Sequence, residues 1–222
     1  MDTRMKAIVI GGSKGIGKAI SDELNTIDIN VISTNSKDLD TSDLNSVNSF
    51  INDNPKTDIL VLNTGGPPPT DFNDIDLKTW QENFNKLFLS FALILNKIEI
   101  NKGGYVFLVS SFAVKEPDPE LILSSSLRVG FVSLMKMLSK LNLKKAVRYI
   151  NIAPGPIKTE RLVGLLKNSG ESIEEFSENF PGNQIPEPEE IGMFVRFVVE
   201  NQIKSFNGST IYFDSGLLNN YI

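Results

Sequence analysis

The 222-residue chain has no cysteine and no histidine, which excludes disulfides, thiol nucleophiles, Cys/His zinc sites, Ser-His-Asp triads and imidazole bases together. Its formal charge of −5, with no basic stripe beyond pairs such as Lys144-Lys145, argues against nucleic acid or an anionic membrane as partner and leaves a small molecule. An apolar fraction of 41% supports one sizeable core, so a single domain over residues 1–222 is expected.

In chain order, KAIVI (6–10) is β-branched and apolar and reads as a strand. It runs into GGSKGIG (11–17), which opens a helix over 15–25 with Ile16, Ile20 and Leu24 at helical spacing. NVIST (30–34) and DILVLN (58–63) read as further strands. Residues 34–43 leave no room for a helix, so one crossover is predicted to shrink to a loop, SKDLDTS, ahead of a helix beginning near Asp43. A long helix over 77–99, the strand YVFLVS (105–110), a second long helix over 122–142, and the strands VRYINIA (147–153) and STIYFD (209–214) complete the series. Strands alternating with helices predict a parallel sheet covered on both faces, and DILVLN and YVFLVS are accordingly near-continuous apolar runs.

The segment 160–190 carries charges and the breaks Gly170, Pro181, Gly182, Pro186 and Pro188, so it reads as loop-like and as a substrate lid. The chain enters its first strand without a long apolar h-region, so no secretory signal is expected. LFLSFALIL (87–95), taken as the longest apolar stretch, falls short of the roughly 20 residues a membrane span requires. No membrane association is expected, and the cytoplasm is the default location.

Glycines between a strand and a helix let the backbone turn sharply and approach a pyrophosphate seated at the helix N-terminus. In this setting IGGSKGIG resembles the TGxxxGxG loop of the short-chain dehydrogenase/reductase family, with Ile10 replacing Thr. LNTGG (62–66) resembles the family's NNAG segment with Leu62 replacing the first Asn, and LDTSD (39–43) its adenine-contacting Asp-Val. YINIAPGPIKTERL (from 149) resembles its VNxxxPGxxxT stretch, and NGSTIYFDSG its closing strand and turn. The resemblance implies a single-domain Rossmann fold, a doubly wound parallel sheet of about seven strands. It also implies that Gly11, Ser13, Lys14, Gly15, Ile16 and Gly17 form the pyrophosphate loop. Asn35 and Asp40 would lie at the adenosine end, Asn63, Thr64 and Gly65 beside them, and Pro154, Gly155, Ile157 and Thr159 at the nicotinamide end. PGP and Thr159 serve equally as a loop breaker and a helix N-cap. After the second strand, Thr34, Asn35, Ser36 and Lys37 stand where an acid would select NAD(H); together with Lys14 they favour NADP(H), with NAD(H) the alternative.

The family's chemistry rests on Asn, Ser, Tyr and Lys, the last two spaced YxxxK. YVFLVSS places the serine at Ser111; the tyrosine position is then Ser124 and the lysine position Arg128, while the asparagine falls on or near Leu87. The candidate catalytic residues are therefore Ser111, Ser124 and Arg128, with Arg128 also a ribose ligand. LNTGGPPP, SSFAVKEPDPELILSSSLR and PGPIKTERL resemble a 3-oxoacyl-[acyl-carrier-protein] reductase-like branch in which YxxxK becomes SxxxR. That implies hydride transfer between NAD(P)(H) and a small carbonyl or alcohol. Two alternatives stay open: a catalytically silent nucleotide-binding or regulatory homologue, and a structural role in which Ser124 or Ser125 caps a helix and Arg128 pairs with a carboxylate. Glu116 or Asp118 would supply an acid or base if burial raised its pKa, and otherwise they are exposed loop charges. The two long helices carry apolar residues on more than one face, including Phe84, Phe88, Val129 and Met137, which predicts a homodimer or homotetramer.

Overall fold

Strand β1 (Lys6–Val9) lies between β2 (Asn30–Ser33) and β3 (Lys56–Leu62); β4 (Glu99–Val109), β5 (Arg148–Pro154) and β6 (Thr210–Phe213) extend the sheet beyond β3. Every pairing is parallel, in the order β2-β1-β3-β4-β5-β6. The structure, a computed structural model, describes residues 4–141 and 143–219. Helices α1 (Gly15–Asn25), α2 (Leu44–Asp53), α3 (Leu77–Phe84), α4 (Ser90–Lys97), α5 (Ile122–Leu141), α6 (Glu160–Ser169), α7 (Ile173–Ser177) and α8 (Pro188–Glu200) alternate with the strands, and a π turn at Asn85–Leu89 joins α3 to α4.

Successive strand residues point to opposite faces, and both faces are dry. Ile8, Leu60, Leu62, Val106 and Leu108 pack with Phe91, Ile94, Phe131 and Met135 of α4 and α5. Ala7, Val9, Ile59, Val61 and Phe107 pack with Ile20 and Leu24 of α1 and Ile191, Val195 and Val198 of α8. Burying each such aliphatic side chain stabilises by roughly 1.5–3 kcal/mol, which accounts for the unbroken apolar runs. Close helix contact on the second face requires Gly192, where a Cβ would stand 2.6 Å from the Ala19 carbonyl oxygen.

Among the described residues the sheet has six strands and not about seven. Residues 34–43 form a loop, too short for the helix and strand that another βαβ unit requires. Asn35 Oδ1 accepts from the Lys37 and Asp38 amides at 2.7 and 3.3 Å, and Leu39 plugs the core at 3% exposure. Asp43 then caps α2 by accepting from the Asn45 amide at 2.9 Å. Strand β2 is left as the sheet edge.

The segment 160–190 is more helical than its breaks suggest. Thr159 caps α6, Gly170 closes it at φ 80°, and Ser172 and Glu175 form a capping box at α7. The glycines and prolines end helices instead of preventing them. The expectation that no segment reaches the length and apolarity of a span also fails: Pro119–Leu141, its charges included, has the length and hydropathy to cross a membrane. Here it lies along the sheet, with Phe131 and Met135 in the core.

Candidate functional site

Beyond Val9 the chain turns through Gly11 at φ 63° and Gly15 at φ 50°, values that favour glycine. The Gly11 amide donates to Thr34 Oγ1 at 3.2 Å, and Asn63 Nδ2 donates to the Gly11 carbonyl at 3.1 Å. A Cβ on Gly17 would collide with that carbonyl oxygen, so the first turn of α1 seats directly on the loop. Lys14 occupies the N-cap and makes no side-chain cap, so the first amides of α1 point their partial positive charge outward. The loop thus fits a pyrophosphate.

These amides face a cavity of about 850 Å³ at the carboxyl ends of the strands. It opens where the strand order reverses between β1 and β3, the place where open parallel sheets bind ligands. Of the residues expected at the cofactor, Gly17, Thr34 and Lys37 do not line this cavity; Gly17 acts behind it by letting the Gly11 carbonyl approach. Ser36 lines it and Lys37 does not. Asp40 reaches it with Oδ1 accepting from the Ser42 hydroxyl and amide at 2.6 and 2.9 Å; those bonds, the hydroxyl's first, hold its carboxyl below the usual range. Thr159 both lines the cavity and caps α6, accepting from the Leu162 amide at 3.4 Å.

Ser111, Ser124 and Arg128 converge on the same cavity. Ser111 follows β4 and accepts from the Ala113 amide at 3.2 Å, which fixes its hydroxyl at the cavity wall. The Arg128 guanidinium is 6% exposed and donates to Ser124 Oγ at 3.1 Å, the Val109 carbonyl at 3.0 Å and the Thr64 carbonyl at 3.1 Å. Burial, then repulsion from Arg161, pushes its pKa down to about 10, so it stays charged at neutral pH.

The helix-cap reading of SSSLR fails. Ser124 and Ser125 lie inside α5, Ser124 receives Arg128 Nε, and among the described residues no carboxylate pairs with Arg128. Glu116 and Asp118 do not line the cavity: Glu116 accepts from the amide and side chain of Asn219, both at 3.1 Å, and Asp118 caps a turn.

Two cations at the site are absent from the sequence expectations. Leu87, at the family's asparagine position, is 2% exposed and faces the core, while its neighbour Lys86 lines the cavity from within the π turn. The five-residue hydrogen-bonding period shifts the helix phase there, so a 3.6-residue reading misplaces Lys86. Arg161, two residues beyond the PGPIKT motif, donates to the Gly66 carbonyl at 2.7 Å and the Pro67 carbonyl at 3.1 Å. No spacing rule flags it; only the return of α6 over the 64–67 loop does.

A doubly wound sheet, an uncapped glycine-rich helix start and a cavity at the topological switch point define a dinucleotide-binding Rossmann protein. A family model described as enoyl-(acyl carrier protein) reductase matches residues 38–218. The 3-oxoacyl-[acyl-carrier-protein] reductase FabG of Rickettsia felis is 25% identical over 97% of this chain and 98% of its own. A short-chain dehydrogenase family protein from Francisella tularensis shares the fold at TM-score 0.82 and 21% identity, covering 96% of this chain and 98% of that one. A small-chain dehydrogenase solved in complex with NADPH does so at 0.83 and 22%, covering 96% and 98%. The chain belongs to the short-chain dehydrogenase/reductase family of NAD(P)(H)-dependent oxidoreductases, in the branch resembling 3-oxoacyl-[acyl-carrier-protein] reductases.

Proposed function

We propose that the protein transfers hydride between NADP(H), in preference to NAD(H), and a small carbonyl or alcohol substrate, using SxxxR in place of YxxxK. The carrying observation is that Ser111, Ser124 and Arg128 meet in the cavity that the bare α1 N-terminus faces. The dinucleotide supplies the hydride, and its pyrophosphate fits the amides after Gly11.

Ser124 accepts from Arg128 Nε, which leaves its own hydroxyl proton free to donate toward a substrate oxygen. The charge of Arg128 behind that hydroxyl favours negative charge developing on the oxygen. A serine is far less acidic than the tyrosine it replaces, so Ser124 polarises or relays, and a water or substrate group completes the proton transfer. Ser111 orients the same oxygen from the turn that follows β4.

The preference for NADP(H) rests on the end of β2, where Asn35 and Ser36 line the cavity and no carboxylate directly follows the strand. Lys14 also lines it at 81% side-chain exposure, and its loose 3.9 Å pairing with Glu160 leaves it able to turn toward a 2′-phosphate. The NADPH-bound relative of the same fold supports this choice.

Steady-state oxidation of NADPH against a panel of aldehydes, ketones and oxo acids tests the reading. Turnover that falls about a hundredfold or more in Ser124→Ala supports it, since general acid–base groups contribute on that order. Tight NADPH binding with no turnover on any carbonyl would instead favour a catalytically silent nucleotide binder.

A further inference from the structure

The cavity is cationic in an acidic protein. Its lining includes four cationic side chains, Lys14, Lys86, Arg128 and Arg161, against two carboxylates, Asp40 and Glu160. The carboxylates are occupied: Glu160 stands 3.9 Å from Lys14, and Asp40 holds Ser42. Among the described residues, no carboxylate lies within ion-pair distance of Lys86, Arg128 or Arg161. These three repel one another: burial first, then Arg161 and Arg128, lowers the Lys86 pKa, which the more distant Asp40 only partly offsets, and burial lowers that of Arg161.

Fastening the 64–67 loop does not account for this charge. Backbone carbonyls are neutral, and a guanidinium has five N–H donors, of which Arg161 spends two there and Arg128 three on protein acceptors. One point lies close to both guanidinium groups and to Ser124. A methyl placed on Gly66 would stand 3.6 Å from Arg128 Nη2, 3.7 Å from Arg161 Nη2 and 3.7 Å from Ser124 Oγ. Burying unpaired cations is costly, and a ligand oxyanion at that point repays the cost.

We infer that Arg128, Arg161 and Lys86 form an oxyanion subsite beside Ser124, so that the substrate is a small oxo or hydroxy acid, or its phosphate counterpart, and not a neutral ketone. This rests on the oxidoreductase reading above and specifies its substrate. The glycine-rich loop holds the cofactor's pyrophosphate, so these cations are left to grip a carboxylate or phosphate a few bonds from the reacting carbon. Bidentate guanidinium contact would fix the substrate's orientation.

The test is calorimetric titration of the intact protein, first with NADPH and then, with NADPH saturating, with malonate and separately with inorganic phosphate at constant ionic strength. Saturable binding of one anion at one site per chain is expected, and which of the two binds tells a carboxylate from a phosphate subsite. Arg161→Gln removes charge-assisted hydrogen bonds and is expected to weaken that anion at least about tenfold while NADPH affinity holds. Lys86→Met gives the same readout should Arg161→Gln fail to fold. NADPH binding with no saturable anion binding overturns the inference and leaves the oxidoreductase reading standing. Competition between either anion and NADPH also overturns it, since the cations would then belong to the cofactor. Failure of NADPH itself to bind removes both.

Discussion

Arg128→Lys restores the residue usual for the family at this position and preserves the charge, yet it is expected to destabilise this protein. The guanidinium serves three acceptors in different directions, Ser124 Oγ, the Val109 carbonyl and the Thr64 carbonyl, at 3.0–3.1 Å. A lysine ammonium is a single point on a flexible stem and cannot span that fork. Two of the three bonds are expected to be lost, each contributing roughly 1.5–3 kcal/mol, with water entering the cavity to offset part. The net cost is about 2–4 kcal/mol, which for a chain of this size lowers Tm by roughly 5–15 °C. Urea unfolding followed by the fluorescence of Trp80 reads the change as a lower midpoint at constant slope. An unchanged midpoint would refute the fork as a structural element and reduce Arg128 to a tethered charge.

Further outcomes follow from the same geometry. Gly17→Ala drives a methyl into the Gly11 carbonyl and is expected to abolish measurable NADPH binding by fluorescence titration, even where circular dichroism reports a folded chain. Lys86→Met relieves a half-buried cation of repulsion from Arg161 and Arg128, so it is expected to raise stability by up to about 1 kcal/mol in urea while weakening anion binding. The charged form of Lys86 grips the anion. Anion affinity is therefore expected to fall as pH rises through its titration, at a pH below the roughly 10.4 of an ordinary lysine, and that part of the decline should vanish in Lys86→Met, leaving the loss that Arg128 brings at about 10. Phe84, Val129 and Met137 are 41%, 46% and 53% exposed on α3 and α5, and we propose that a second copy of the chain covers them. Light scattering is expected to report a dimer or tetramer, and Val129→Glu a smaller species; a monomeric wild type would contradict this.

Much of this was legible in the sequence because each signal was local. The alternation of apolar runs with helical spacing located the six strands, and GGSKGIG declared a phosphate loop because glycine spacing and backbone approach are properties of a short segment. The thirteen-residue step from Ser111 to Ser124 came from the family resemblance, since irregular turns fill the interval, whereas the four-residue step to Arg128 is one turn of α5; both residues reach the same cavity. What stayed hidden depends on phase or on return contacts. Lys86 required the π turn, and Arg161 required α6 to fold back over Gly66 and Pro67. The expected seventh strand was borrowed from the family pattern, although the short 34–43 interval already left no room for a further crossover. The helices at 160–169 and 173–177 were obscured because they are short and lie among glycine and proline breaks, although the Thr159 cap of the first was legible.

The central claim is that the cavity at the β1/β3 switch point holds a nicotinamide dinucleotide through the loop at Gly11. Equilibrium titration of the purified protein with NADPH and NADH, alongside Gly17→Ala, tests it most directly. The account predicts saturable binding at one site per chain, tighter for NADPH, and lost in Gly17→Ala. Absence of binding by both dinucleotides, or binding that Gly17→Ala leaves intact, would contradict it.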